Sequence, residues 1–347
     1  MQTTPTQVQP LPAEPTSASA NPPSAPPPPG RSAGQQKLIK FASDYSIILI
    51  FLVLFVVLSF NVEYFFSFTN MKGLALSVSQ IGMVACTMMF CLASRDFDLS
   101  VGSTIAFAGV LCAMIINSTG SIVLGVGGSL LAGAAIGLFN GFTIAKLRIN
   151  ALIATLVTMG AVRGLGFIAS HGQAVGISNE AFFNLGNNDL FGMPIPVLFW
   201  IGCVVVFGVM LNKTVYGRNT LAIGGNPDAA RLAGVAVDRT RIYIFLIQGV
   251  VTALAGIILA SRITSGQPNA GQGFELDVIA ACVLGGVSLA GGRATISGVV
   301  VGVLIMGMVQ NAMNLKNIDA FYQYEVRAAI LFVAVLIDQL KNRGKTS

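Results

Sequence analysis

Apolar residues fill long stretches of the chain, and polar residues gather in short breaks between them. Apolar runs of about 17 to 25 residues are long enough to cross a bilayer as helices. The pattern predicts ten spans, near 46–66, 73–94, 101–117, 122–145, 151–169, 195–211, 242–260, 276–290, 296–313 and 324–340. The third, eighth and tenth are short enough to bend or re-enter. The predicted fold class is an all-α polytopic membrane protein of about ten transmembrane helices.

One polar stretch, "NPDAARLAGVAVDR" at 226–239, sits between the sixth and seventh spans and reads as a helix of its own. Asn226 suits the N-cap, Pro227 the first helical position, and Asp228 the positive end of the dipole. Residues 229–233 are mostly strong helix formers, and Gly234 supplies a left-handed stop. That gives about two turns, roughly 10 Å, too short to span anything. Ala229 and Ala230 permit close approach by another surface, Leu232 offers an apolar anchor, and Arg231, Arg218, Arg239 and Arg241 supply charge. Such a helix suits docking into the cleft of a soluble partner; the plainer reading is a surface loop satisfied by lipid headgroups.

Composition narrows the class. The chain is 54% hydrophobic and 10% charged, against about 25% charged in soluble domains, too little to cover a water-facing globule. A net charge of +6 reads as the basic bias of cytoplasmic loops rather than a nucleic-acid surface. With the N-terminus inside, 15 of the 20 Lys and Arg fall on inside segments, three (Lys72, Arg262, Lys316) outside and two (Arg163, Arg327) within spans. Both termini are therefore expected in the cytoplasm, along with 226–239. Residues 1–36 are rich in Pro, Ala and Ser and are expected to be a disordered cytoplasmic tail. The membrane domain is expected over 37–345, with a cytoplasmic loop at 212–241. The outside loop 170–194 has no Lys or Arg and reads as a folded cap or a plain connector. The five cysteines sit singly in apolar runs without metal or disulfide spacing, and His171 is the only histidine. No metal site and no catalytic residue is expected.

Two segments echo each other. "LASRDFDLSV" at 92–101 is matched by "LASR" at 259–262 followed by "ELDVIA" at 275–280, and "GLFN" at 137–140 more loosely by "GMVQ" at 307–310. The expected topology puts the two copies on opposite sides, as an inverted repeat would. Arg95, Asp96 and Asp98 fall at the first junction, where charges are paired or beside water. Asn140, Arg163, Gln248, Gln310, Asn311, Glu325 and Arg327 are further intramembrane polar groups, for which helix-to-helix hydrogen bonding is the plain reading and a hydrated path the functional one. The ridges Gly133–Gly137–Gly141 and Gly298–Gly302 read as close helix packing.

Several blocks resemble one family. Asp228-Ala229-Ala230, three residues, then Gly234 resembles the coupling loop of ATP-binding-cassette importer permeases, with Asp in place of Glu. "FDLSVGS" at 97–103 resembles the signature of the ribose/arabinose/xylose branch. "NKTVYGRNTLAIGGNPDAARLAGV" at 212–235, "AGIILASRITSGQP" at 255–268 and "CVLGGVSLAGG" at 282–292 are most similar to the L-arabinose importers within it. The similarity runs from about 70 to 340. Arg95 departs from the family pattern, which usually has Gly before the acidic block, so the local backbone does not carry over automatically. The resemblance implies a homodimeric permease in the bacterial inner membrane, surrounded by lipid. Its partners would be a cytoplasmic ATPase that binds ATP and Mg²⁺ and a periplasmic sugar-binding protein; the cargo would be a monosaccharide, L-arabinose first. The coupling helix would comprise Asn226, Asp228, Ala229, Ala230, Leu232 and Gly234. Signature or path residues would be Asp98, Ser100, Asn140, Arg163, Gln248, Gln310 and Asn311. The chain carries no G-x4-GK-[ST] phosphate loop, so it is expected to bind no cofactor and to be no enzyme. The rival reading is an ion-coupled carrier of a small polar solute, which would share repeats and intramembrane carboxylates but has no use for a coupling helix.

Overall fold

The computed structural model describes residues 46–343, so the expected tail at 1–36 lies outside the described residues. Among the described residues thirteen helices run in chain order: α1 Ser46–Asn61, α2 Phe68–Ala93, α3 Val101–Thr119, α4 Ile122–Ala145, α5 Ala151–Ser170, α6 Glu180–Asn187, α7 Ile195–Lys213, α8 Val215–Gly225, α9 Pro227–Leu232, α10 Val237–Arg262, α11 Phe274–Leu284, α12 Ile296–Leu315 and α13 Ala320–Arg343. Short strands β1 Val175–Gly176 and β4 Ser265–Gly266 pair antiparallel, as do β2 Asp189–Leu190 and β3 Met193–Pro194.

Seven helices (α2, α3, α4, α5, α7, α10 and α12) are long and apolar enough to cross a membrane. The other three expected spans fall short for separate reasons. The first run gives a 16-residue helix that stops at Asn61, before a turn with Tyr64 in the left-handed region. The eighth gives only the 11 residues of α11, closed by Gly285 and Gly286. The tenth gives a 24-residue helix, α13, whose polar residues dilute its hydropathy. The loop 212–241, expected to hold one short helix, holds two, α8 and α9.

Local chemistry sets many of the boundaries. Ser67, Ser121, Asn150 and Thr295 each accept a hydrogen bond from the first turn of the helix that follows, closing the N-termini of α2, α4, α5 and α12. The loop 170–194 folds as a cap. β1 joins β4, and Phe182 of α6 is buried with its carbonyl accepting from Ser261 Oγ at 2.6 Å.

Packing centres on α2 and α10, which are mostly buried, whereas α4, α5 and α7 keep large apolar residues such as Leu131, Val157 and Val205 outward. α10 packs along α4 and α3, and α2 packs along α7, α10, α12 and α11. The glycine ridges make these approaches possible. A Cβ at Gly137 would overlap the carbonyl oxygen of Phe245, and one at Gly302 would overlap that of Ala281. Both ridges are thus helix contacts, as their spacing predicts. By contrast, Gly160 of α5 has open space around its Cβ position.

This difference is testable by substitution. G137A should force α4 from α10 and cost about 1–3 kcal/mol, the usual range for overpacking. G160A should leave stability within about 0.5 kcal/mol. Thermal melting of the detergent-purified protein checks both, and equal losses would contradict the packing.

Candidate functional site

The basic end of the bundle carries the clearest site. Helix α9 is closed at both ends by the residues its sequence nominates. Asn226 Oδ1 accepts from the backbone N–H of Asp228 and of Ala229, each at 3.0 Å. At the other end the N–H of Gly234 reaches Arg231 O and that of Val235 reaches Ala230 O, each at 3.0 Å, around Gly234 at φ +84°. The left-handed stop therefore satisfies carbonyls that a short helix would otherwise leave open. Ala230 points inward, buried with Ile223 and Val237, so of the two alanines expected to face a partner only Ala229 is exposed. Leu232 is 91% exposed at the tip, a large apolar side chain left uncovered by the described residues.

Charges tie this helix to its neighbours. Arg231 pairs with Asp228 at 3.5 Å and with Asp238 of α10 at 3.6 Å, and Lys146 reaches the same Asp238 at 3.2 Å. Arg241, one turn along α10, pairs with Asp96 at 3.0 Å. Burial pushes the Asp96 carboxyl up to about 6, with Arg241 and Ser94 acting to lower it. A cavity of about 750 Å³ opens between α9, the α4–α5 turn and residues 95–97, lined by Arg95, Asp96, Arg148, Asp228, Arg231, Asp238 and Arg241 among others.

Beyond this end, residues 96–100 turn into the bundle and α3 begins. Three expected residues meet there. Asp98 Oδ1 accepts from Ser100 N at 2.9 Å and Ser100 Oγ at 2.6 Å; Asn140 donates to Ser100 Oγ at 3.0 Å; Thr158 Oγ1 donates to Asn140 Oδ1 at 2.6 Å. All four side chains are buried. This line of bonds holds the start of α3 to α4 and α5. Thr158 was not anticipated: one threonine on an apolar helix gives no signal until its partner is known.

Arg163 does a similar service for the other broken helix. Its Nη1 donates to the carbonyls of Pro268 and Ala270 at 2.8 and 2.6 Å, in the connector that leads to α11. The starts of α3 and α11 then meet, for a Cβ at Gly102 would overlap Gly271 O and lie 2.5 Å from Glu275 Oε2. The remaining expected residues lie elsewhere. Asn311 exchanges two hydrogen bonds with Asn70, at 2.9 and 2.8 Å. Gln310 borders a small cavity between α12 and α13. Gln248 is fully buried without a hydrogen-bond partner for its amide. Among the described residues no cluster of His, Cys, Asp or Glu could hold a metal ion.

Broken helices meeting inside an apolar bundle, beside a short capped helix displayed at its basic end, define the class as a polytopic membrane permease. The chain belongs to the family described as "Branched-chain amino acid transport system / permease component", which matches residues 70–335. It is 58% identical over 302 residues to the L-arabinose transport system permease protein AraH of Escherichia coli (strain K12), covering 87% of this chain and 92% of that one. It is 52% identical over 332 residues to the L-arabinose ABC transporter permease protein AraH of Azospirillum brasilense, covering 96% and 97%. The ribose import permease protein RbsC of Escherichia coli (strain K12) is 38% identical over 299 residues, covering 84% and 92%. No solved structure gives a significant match.

The caps of α9 can be tested without any transport assay. N226A should cost the helix about 0.5–2 kcal/mol, and G234V should strain the left-handed position by about 1–3 kcal/mol. Amide exchange over 228–235 should quicken by about 2- to 30-fold in N226A and about 5- to 160-fold in G234V, while the melting point of the bundle stays put. Unaltered exchange in both variants would mean that the caps do not hold the helix.

Proposed function

We propose that the chain is the membrane permease of an ATP-binding-cassette importer that carries L-arabinose from the periplasm to the cytoplasm. The observation that carries the sugar assignment is the identity of 58% and 52% to two L-arabinose permeases over most of each chain, against 38% to a ribose permease. The family assignment likewise favours an importer permease over an ion-coupled carrier.

In this reading two copies of the chain form the pathway in the cytoplasmic membrane, both termini facing inside. A separate ATPase binds ATP and Mg²⁺ and does the hydrolysis; a periplasmic binding protein selects the sugar. Helix α9 is the coupling helix, with Leu232 and Ala229 turned to the ATPase and the buried Ala230 seating it on the permease. Closure of the ATPase presses on α9, and one part of the permease rocks against another to open the path alternately. The reciprocal packing of α2 on α11 and α12, and of α10 on α3 and α4, supports an inverted repeat whose halves exchange their long first helices. The helices α1, α11 and α13 then complete the ten membrane segments.

Reconstitution with the ATPase and the sugar-loaded binding protein tests this reading. Radiolabelled L-arabinose uptake should require ATP inside the vesicles, resist an ionophore, and exceed ribose uptake at least tenfold. G234V at normal expression should lose at least nine-tenths of that uptake. Uptake driven by an ion gradient without ATP would overturn the proposal.

A further inference from the structure

Arg95 occupies a position where the backbone favours glycine. The end of α2 closes with the N–H of Arg95 on Leu92 O at 3.0 Å and that of Asp96 on Cys91 O at 2.9 Å. Arg95 itself sits at φ +67°, the same left-handed stop that Gly234 makes after α9. A long side chain in that conformation is strained unless its contacts hold it there, so the contacts are the place to look for a role.

They are specific. Arg95 Nε donates to Ala290 O at 2.7 Å and Nη2 donates to Gly225 O at 2.8 Å. Gly225 is the last residue of α8 and immediately precedes Asn226, the N-cap of α9. Ala290 lies in the glycine-rich turn between α11 and α12. The same three segments touch through their backbones. The N–H of Gly292 donates to Ala93 O at 2.9 Å. A Cβ at Gly224 would overlap Ala93 O, and one at Gly291 would overlap Arg95 Cγ and lie 2.8 Å from Gly224 O. Gly291 and Gly292 thus let the turn lie directly on the end of α2 and on the end of α8.

One planar guanidinium, with donors in a fixed fork, therefore spans the root of α9 and the α11–α12 turn, while its own backbone opens the approach to α3. We infer that Arg95 is a positioning residue that delivers movement of α9 to both broken helices at once, to the start of α3 through 96–100 and to the end of α11 through Ala290. The inference rests on the coupling role proposed for α9. It differs from a purely structural brace in one respect: loss of the fork lets the ATPase turn over without moving the permease.

R95G is the direct test, because glycine keeps the left-handed turn and removes only the fork. R95K keeps the charge on a single ammonium that lacks the fork. The reconstituted complex of permease, ATPase and loaded binding protein is assayed for ATP hydrolysed and L-arabinose delivered in the same vesicles. In R95G the sugar delivered per ATP should fall at least threefold, and the KM for loaded binding protein should stay within about twofold; R95K should fall between R95G and the wild type. A wild-type ratio of sugar to ATP in R95G overturns the inference, including when uptake and hydrolysis fall together as they would for a chain that is merely less stable. A wild-type complex that moves no sugar on ATP removes the coupling reading itself and this inference with it.

Discussion

A helix that stops inside an apolar layer leaves backbone groups with no water to satisfy them, and the cost of several kcal/mol per group makes such breaks rare unless protein supplies the partners. Among the described residues, the starts of α3 and α11 are each fastened by polar side chains. The Thr158–Asn140–Ser100–Asp98 line fastens one. Arg163 covers two carbonyls at the other. The two starts then close on each other at Gly102 and Gly271. Asp98, Ser100, Asn140 and Arg163 all take part in these fastenings.

Around these breaks the bundle relies on glycine. Apolar surface gains little by leaving lipid for protein, so association rests on close packing and a few hydrogen bonds. The contact of Gly137 with Phe245 O and of Gly302 with Ala281 O brings helices backbone to backbone.

Periodicity and capping were legible in the sequence wherever the information is local. Asn226, Pro227, Asp228 and Gly234 define α9 within a few residues of one another, and the structure places each in the expected role. Span length was less legible, because an apolar run does not reveal where Asn61 or Gly285–Gly286 cuts it. Long-range pairing was not legible at all. Thr158 finds Asn140 from another helix, and Arg95 meets Gly225 and Ala290 across 130 and 195 residues of chain. Arg95 also carries a physical lesson: a residue other than glycine takes the left-handed turn before the acidic block, and its side chain reaches two backbone carbonyls.

The central claim is that α9 is where the permease meets its ATPase. The most direct measurement places a cysteine at the exposed tip, L232C, and treats the assembled complex with a short bifunctional cross-linker. The native cysteines compete little, since Cys86, Cys91, Cys112 and Cys282 are buried and Cys203 is half-buried. The account predicts a covalent permease–ATPase product whose yield changes between the ATP-bound and ADP-bound states. A complex that imports sugar normally yet gives no such product in either state would contradict it.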